Sequence, residues 1–393
     1  MRDFVYYTPT EVVFGRKSED RLAEMIRKYG GSNVLLHYGG SSAEKSGLLA
    51  EIRALLGGAG IPFIELGGVV PNPRLSLVRQ GIALCRKENV DFILAIGGGS
   101  VIDSSKGIAY GLAYDGDIWD FFDAKAVPSA AIPVGVVLTI PASGSEMSDS
   151  TVLTNDELGL KRGCNSNFCR PKFAIMNPER TFTLPAYQTA CGVTDIMMHT
   201  MERYFTKDRM SITDEIAEAL LRCVYRDGAA LMKDPDNYDL RASIMWAGSL
   251  SHNGLTGCGG VFDFGTHRLE HELSTMFGVA HGAGLAALWC HWARYVHGED
   301  PGRFRSFAVK VLGKEDNYCN DEAALQDVID TMTAFYHEIG MPASIPELIG
   351  RKATEEEISI MADRCSRGGT FVVGNFKKLG RKEMVDIYRL ANN

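Results

Sequence analysis

DFILAIGGGSVIDSSKGIAYGL, residues 91–112, decides the fold. A short apolar run leads into Gly97, Gly98 and Gly99, and Ser100 opens a stretch with helical spacing. The reading is strand, tight turn, helix. Three glycines let backbone approach a phosphate closely, and the following helix supplies free N–H groups and the positive end of its dipole. The spacing is not G-x-G-x-x-G, so the usual dinucleotide fingerprint is absent. By itself the turn reads equally as a plain connection between strand and helix.

The same alternation extends on both sides. NVLLHY (33–38), PFIEL (62–66) and IPVGVVLTI (132–140) are further strand-like runs, and SSAEKSGLLAEIRALL (41–56) and RLSLVRQGIALCRKEN (74–89) are helix-like. Strands alternating with helices predict parallel strands with crossover helices, a Rossmann-like α/β layer. GDIWDFFDAKAVPSAA (116–131) reads as a loop. After NPERTFTLP (177–185) helical periodicity takes over, in ITDEIAEALLRCVYRDGAALM (212–232) and in EAALQDVIDTMTAFYHEIG (322–340), which ends on a C-capping glycine. TEEE at 354–357 is a capping box. We expect an α/β domain over residues 1–184 and an all-helical domain over 185–393.

A chain of 393 residues, 45% apolar and 23% charged, suits two globular domains. The net charge of −8 and the lack of a dense basic block argue against nucleic acid or an anionic membrane as partner. No run of 18 apolar residues exists. MRDFVYYTPTEVVFG lacks a basic region followed by an apolar stretch, so a cytoplasmic protein is expected. Nine scattered cysteines, an odd number, fit packed thiols in a reducing compartment better than a disulfide framework.

A second glycine turn, YGGSS (38–42), follows a strand. An adenosine ribose with a free 2′-hydroxyl normally meets an acidic residue at such a strand end. Here Gly39, Gly40 and Ser41 stand there instead, and small residues with free N–H groups and a hydroxyl accept a 2′-phosphate. The expected cofactor is NADP(H) over NAD(H).

Six of the nine histidines lie between residues 252 and 297. HRLEH (267–271) fits H-x-x-E-H, a zinc-peptidase pattern in which two histidines hold the metal and the glutamate activates water. In GVTDIMMHTMERYF (192–205), Asp195 and His199 stand one helical turn apart. They can grip a divalent metal from one side or form a local pair. His267 and His281 converge only if a helix ends near FGVA and the chain turns back at Gly278. His37, His252, His291, His297 and His337 fit no convergent pattern and read as structural or surface residues.

Taken together, TPTEVVFG (8–15), YGGSS, VVPNPR (69–74), AIGGGSVIDSSK (95–106), LTIPASGSE (138–146), PKFAIMNPE (171–179), GVTDIMMHTMERYF and the histidine segment resemble the iron-containing (group III) alcohol dehydrogenases. The likeness is strongest to the branch of NADPH-dependent butanol dehydrogenases and broad-range aldehyde reductases, and it runs nearly end to end. It implies a dehydroquinate synthase-like architecture, in which Fe²⁺ or Zn²⁺ is held by Asp195, His199, His267 and His281. His271 is then a near-site histidine that relays a proton. The pyrophosphate is expected on Gly97, Gly98, Gly99 and Ser100, with Asp103 and Lys106 supporting that loop or the ribose. Asn72, Thr139, Ser145 and Lys161 match other cofactor positions, and Gly39, Gly40 and Ser41 match the NADP-type turn. Ser148 stands where relatives often carry asparagine, and GCGGVFDF (257–264) and NSNFC (165–169) match no pattern tied to a substrate.

The implied activity is interconversion of primary alcohols and aldehydes by a homodimer that binds a small-molecule substrate. A polyol dehydrogenase or a dehydroquinate-synthase-like cyclase shares the architecture, although the helical half shows no basic cluster for a phosphate substrate. The peptidase reading leaves both glycine turns unexplained.

Overall fold

A computed structural model of the chain describes residues 1–40 and 42–393; the expected cofactor residue Ser41 lies outside the described residues. Contacts divide the chain into two compact units, Tyr7–Leu184 and Pro185–Asn393, the latter joined by Met1–Tyr6. The first six residues therefore leave the domain in which the sequence reading placed them. They are tied down by backbone and charge: Arg2 N donates to Gly259 O at 2.8 Å, and Arg2 Nε meets Asp208 Oδ2 at 2.8 Å.

The first unit is built on six strands: β1 (Glu11–Phe14), β2 (Val34–Tyr38), β3 (Phe63–Leu66), β4 (Phe92–Gly97), β5 (Val134–Leu138) and, after a hairpin, β8 (Phe173–Met176). They form one parallel sheet in the order β1-β8-β5-β4-β2-β3. β4 is buried along its whole length, as expected of a parallel strand covered on both faces. The hairpin is β6 (Ser150–Asn155) with β7 (Leu160–Asn165), antiparallel and separate from the large sheet. β1, β6, β7 and β8 were not among the strands read from the sequence; β6 and β7 carry polar residues such as Asn155, Lys161, Arg162 and Asn165 and lack the continuous apolar run that marked β2, β4 and β5. The segment read as a loop contains a helical turn, Trp119–Phe122, formed because Trp119, Phe121 and Phe122 are all buried.

Strand order places the site of this unit. From β2 the chain goes outward to edge strand β3, then returns to β4 on the opposite side of β2. The order reverses between β2 and β4, and the carboxyl ends of these two strands carry the two glycine turns. Open parallel sheets bind ligands at such a reversal.

The second unit is helical apart from one isolated bridge between Val373 and Leu379. Its helices include Ala186–Tyr204, Ile212–Lys233, Tyr238–His252, Gly265–Phe277, His281–Val296, Asp321–Glu338 and Glu355–Cys365. Thr354 forms the capping box read from TEEE. The core gathers around His281–Val296, where Trp289 and Trp292 are fully buried. Helix Ala186–Tyr204 is buried from Gly192 to its end, so Asp195, His199, Glu202 and Arg203 lie inside the protein. Charged groups are found there only with partners. All nine cysteines are free, and no helix among the described residues is long and apolar enough to cross a membrane.

Candidate active site

Four donor residues arrive from three helices. Asp195 and His199 stand one turn apart on Ala186–Tyr204, His267 lies near the start of Gly265–Phe277, and His281 opens His281–Val296. The return between the last two helices is made at Gly278, whose φ of 68° is left-handed. Asp195 Oδ1 then lies 3.3 Å from His199 Nδ1, 3.5 Å from His267 Nε2 and 3.8 Å from His281 Nε2. The donor atoms of Asp195, His267 and His281 all fall within 4.8 Å of one another.

Chemistry decides what such a cluster is for. Asp195 Oδ1, His199 Nδ1 and His267 Nε2 are buried and have no hydrogen-bond partner. Buried polar atoms left in that state are costly. Lone pairs converging on one point are stabilised by a cation, and one carboxylate with three imidazoles suits Fe²⁺ or Zn²⁺.

The opposite nitrogens are held by carboxylates. His267 Nδ1 bonds Glu202, whose other oxygen accepts the His267 backbone N–H at 3.1 Å. His281 Nδ1 bonds Glu270, which also accepts from Ser274 Oγ. Both glutamates are fully buried. A carboxylate on the far nitrogen fixes the tautomer and points the near nitrogen at the metal. Burial lowers the His267 pKa, but Glu202 and Asp195 outweigh it and carry it up to about 9. His199 is held well below its ordinary value by burial and by His252 and His267 beside it. Arg203 donates to His199 O at 2.6 Å. With a divalent cation it would neutralise the buried carboxylates of Asp195, Glu202 and Glu270.

Glu202 and Glu270 were missed as supporting groups. Their signal was spacing: Glu202 lies one turn after His199, and Glu270 one turn after His267. Glu270 therefore serves His281, not a water as in a peptidase. His252, read from the sequence as structural or surface, packs beside the cluster, its ring 4.1 Å from that of His199. His271 is buried, with its ring 5.8 Å from His281. His291 bonds Ala343 O, His297 packs on Phe304 and His337 pairs with Glu347, all apart from this cluster.

In the α/β unit, the three glycines are required by close packing. A Cβ on Gly97 would lie 2.5 Å from Val101 Cγ2, one on Gly98 2.9 Å from Ile140 Cβ, and one on Gly99 2.3 Å from Ser143 Oγ. Gly98 caps the helix Gly99–Leu112, accepting from Val101 N at 3.0 Å. Thr139 N donates to Gly97 O at 3.1 Å. Asp103 accepts from Ser145 Oγ at 2.6 Å and from Val152 N at 3.0 Å, and burial raises its carboxyl pKa against the pull of Lys106. Lys106 is fully buried, its ammonium on the carbonyls of Ser148 (3.0 Å) and Ser150 (2.8 Å). Both charges fasten the loop that packs on the glycine turn. Lys161 sits on β7 opposite Thr154, Asn72 has a left-handed φ of 58°, and Gly39 accepts from Gly68 N beside the exposed Gly40.

Both halves match one family. The model described as iron-containing alcohol dehydrogenase covers residues 9–178, and that of the family's C-terminal region covers 189–392. The chain belongs to the iron-containing alcohol dehydrogenase family. This dehydrogenase is 40% identical over 392 residues to a probable NADH-dependent butanol dehydrogenase 1 of Bacillus subtilis, covering 100% of both chains. It is 35% identical to the NADPH-dependent aldehyde reductase YqhD of Escherichia coli, over 88% of this chain and 89% of that one. The solved structure of NADH-dependent butanol dehydrogenase A from Thermotoga maritima superposes with a TM-score of 0.95 at 35% identity, covering 100% of this chain and 99% of that one.

Proposed function

We propose that the protein interconverts a primary alcohol, butanol-like in size, and its aldehyde, with NADP(H) preferred over NAD(H) as hydride carrier. The observation that carries this reading is the convergence of the Asp195, His267 and His281 donor atoms within 4.8 Å of one another, with His199 Nδ1 3.3 Å from Asp195 Oδ1 and with the facing atoms of Asp195, His199 and His267 buried. These four residues would hold Fe²⁺ or Zn²⁺. When bound, that cation supplies Lewis acidity to a carbonyl oxygen, and the nicotinamide supplies the hydride.

The chain's own residues do the rest. Glu202 and Glu270 fix the His267 and His281 rings so that Nε2 of each faces Asp195. His271, buried with its ring 5.8 Å from that of His281, would relay a proton from solvent to the substrate oxygen. Gly97 to Ser100 and the start of the following helix would take the pyrophosphate. Gly39 and Gly40 put no carboxylate at the end of β2, which supports NADP(H). The relatives' names divide on this point: four butanol dehydrogenases at 36–40% identity and the Thermotoga maritima enzyme specify NADH, the 35% identical aldehyde reductase NADPH and a 28% identical alcohol dehydrogenase NADP.

We further assign a cytoplasmic homodimer. Phe4, Val5, Tyr6 and Tyr7 are each at least 42% exposed, a consecutive apolar run that a second copy would cover. Metal analysis of the purified protein, then NADPH and NADH oxidation with short aldehydes after Fe²⁺ or Zn²⁺ loading, tests the activity. No oxidation of either nucleotide by metal-loaded protein would overturn it. Size-exclusion chromatography with light scattering tests the dimer.

A further inference from the structure

GCGGVFDF (257–264) matched no known pattern, yet its last residue stands against the histidine cluster. Phe264 precedes the helix that carries His267. Its ring centroid lies 5.2 Å from that of His267, 6.2 Å from His199 and 6.3 Å from His252. Its backbone is left-handed, with φ 54° and ψ 22°. Bulky residues avoid that region, and helix N-caps are usually small, polar and extended.

The surroundings force the conformation. Asp263 Oδ2 accepts from Gly265 N at 2.9 Å, and its Oδ1 accepts from Asn375 N and Phe376 N at 2.7 Å each. Asp263 N donates to Glu202 O at 2.9 Å, which ties the turn to the helix bearing Asp195 and His199. Gly265 permits the tight return, because a Cβ there would lie 2.7 Å from Asp263 Oδ2. The Arg203 guanidinium lies 4.9 Å from the Phe264 ring centre while also bonding His199 O.

The geometry points to Phe264 as a positioning residue for the metal centre, a strained aromatic wedge that holds the His199 and His267 rings at the spacing one cation needs. A left-handed turn with no demand on its side chain is normally filled by Gly or Asn. A strained bulky residue persists where the surrounding structure over-determines it, and such residues cluster at functional sites. A phenyl ring neither coordinates nor titrates; what it offers is shape and tilted packing against other rings. Glu202 and Glu270 orient His267 and His281 through their Nδ1 atoms. Around His199 the packing partners are rings, His252 at 4.1 Å, His267 at 4.5 Å and Phe264 at 6.2 Å, and Phe264 flanks both His199 and His267.

The inference rests on the metal reading above, and the test separates the two. Co²⁺ affinity is measured on the full chain by competition with a chromophoric chelator, alongside the Co²⁺ d–d spectrum and the melting curve of the metal-free protein. The variants are Phe264→Gly, Phe264→Leu, Phe264→Trp and, as control, His267→Ala. We expect Phe264→Gly to melt no lower than wild type and to lose affinity on the order of tenfold or more, the range of supporting residues around metals. Phe264→Leu should lose affinity and alter the spectrum, while Phe264→Trp restores both. If Phe264→Gly and Phe264→Leu bind Co²⁺ as wild type does, with its spectrum, the wedge is wrong and the metal site stands. If both lose cooperative melting, Phe264 acts on the fold and the inference falls as well. If wild type binds no better than His267→Ala, the metal reading itself fails.

Discussion

His37 and His267 are both buried histidines, one in the α/β unit and one in the helical unit, and they do opposite work. His37 has both ring nitrogens engaged by protein, Nδ1 on Leu66 O at 2.7 Å and Nε2 on Ser104 Oγ at 2.8 Å. It fastens β2 to β3 and to the helix after β4. His267 has one nitrogen on Glu202, while Nε2 lies buried without a hydrogen bond, 3.5 Å from Asp195. A buried imidazole satisfied on both sides is structure; one satisfied on a single side, among like neighbours, has the character of the ligand we propose.

The largest test of that distinction removes a proposed ligand. His267→Ala or Asp195→Asn should abolish metal retention and lower kcat/KM at least about a hundredfold, since Lewis acidity is worth several kcal/mol and about 1.4 kcal/mol is tenfold. Metal content and turnover of the loaded protein measure it. Full activity in either variant would return His267 to the category of His37.

The same comparison predicts a pH effect for His37. Burial holds its pKa at about 4, against 6.5 ordinarily. Between those values the unfolded chain binds a proton that the folded one refuses. Stability therefore falls as pH drops from about 6.5 to about 4, by roughly 3 kcal/mol, and this contribution levels off below that. Urea midpoints of wild type and His37→Gln, taken from pH 7 to 4.5, isolate it. Parallel pH slopes in the two proteins would be the contrary result.

How legible each region was in the sequence follows from what builds it. The glycine turn is made of backbone, and Gly97 to Gly99 followed by helical spacing reveal it locally. The proposed metal ligands stood out as residue types at 195, 199, 267 and 281, yet their approach depends on the reversal at Gly278 and on three packed helices. His252 was illegible because it meets His199 through tertiary packing. Glu202 and Glu270 sat at visible spacings, but a glutamate on a helix is ordinarily solvated, and only burial shows their task. β1 and β8, four residues each, pair with each other across more than 150 residues of chain, and no helix-like stretch directly precedes and follows them to set them in an alternating pattern. On the scale of effects, Glu202→Gln comes next. The amide cannot act as a carboxylate toward His267, so the metal affinity of the folded variant should drop by roughly 10- to 100-fold. Unchanged affinity would make Glu202 a packing residue.

The smallest effect belongs to the backbone-built region. Gly39 and Gly40 close β2 at the point where strand order reverses, and neither offers a charge. Gly39 has room for a side chain: a Cβ would lie 3.5 Å from Val69 O and 3.9 Å from Val101 Cγ2, ordinary contact distances. Gly39→Asp should therefore fold and place a carboxylate where a 2′-phosphate would lie. Repulsion then weakens NADPH, while a free 2′-hydroxyl gains an acceptor, so the ratio of kcat/KM for NADPH over NADH should fall about tenfold, or 1.4 kcal/mol. Metal content should stay at the wild-type level, because the substitution lies in the other unit. A variant that lost both nucleotides equally would show that Gly39 serves the turn itself. A wild-type preference for NADH beyond about tenfold would sink the assignment of NADP(H) before any substitution is made.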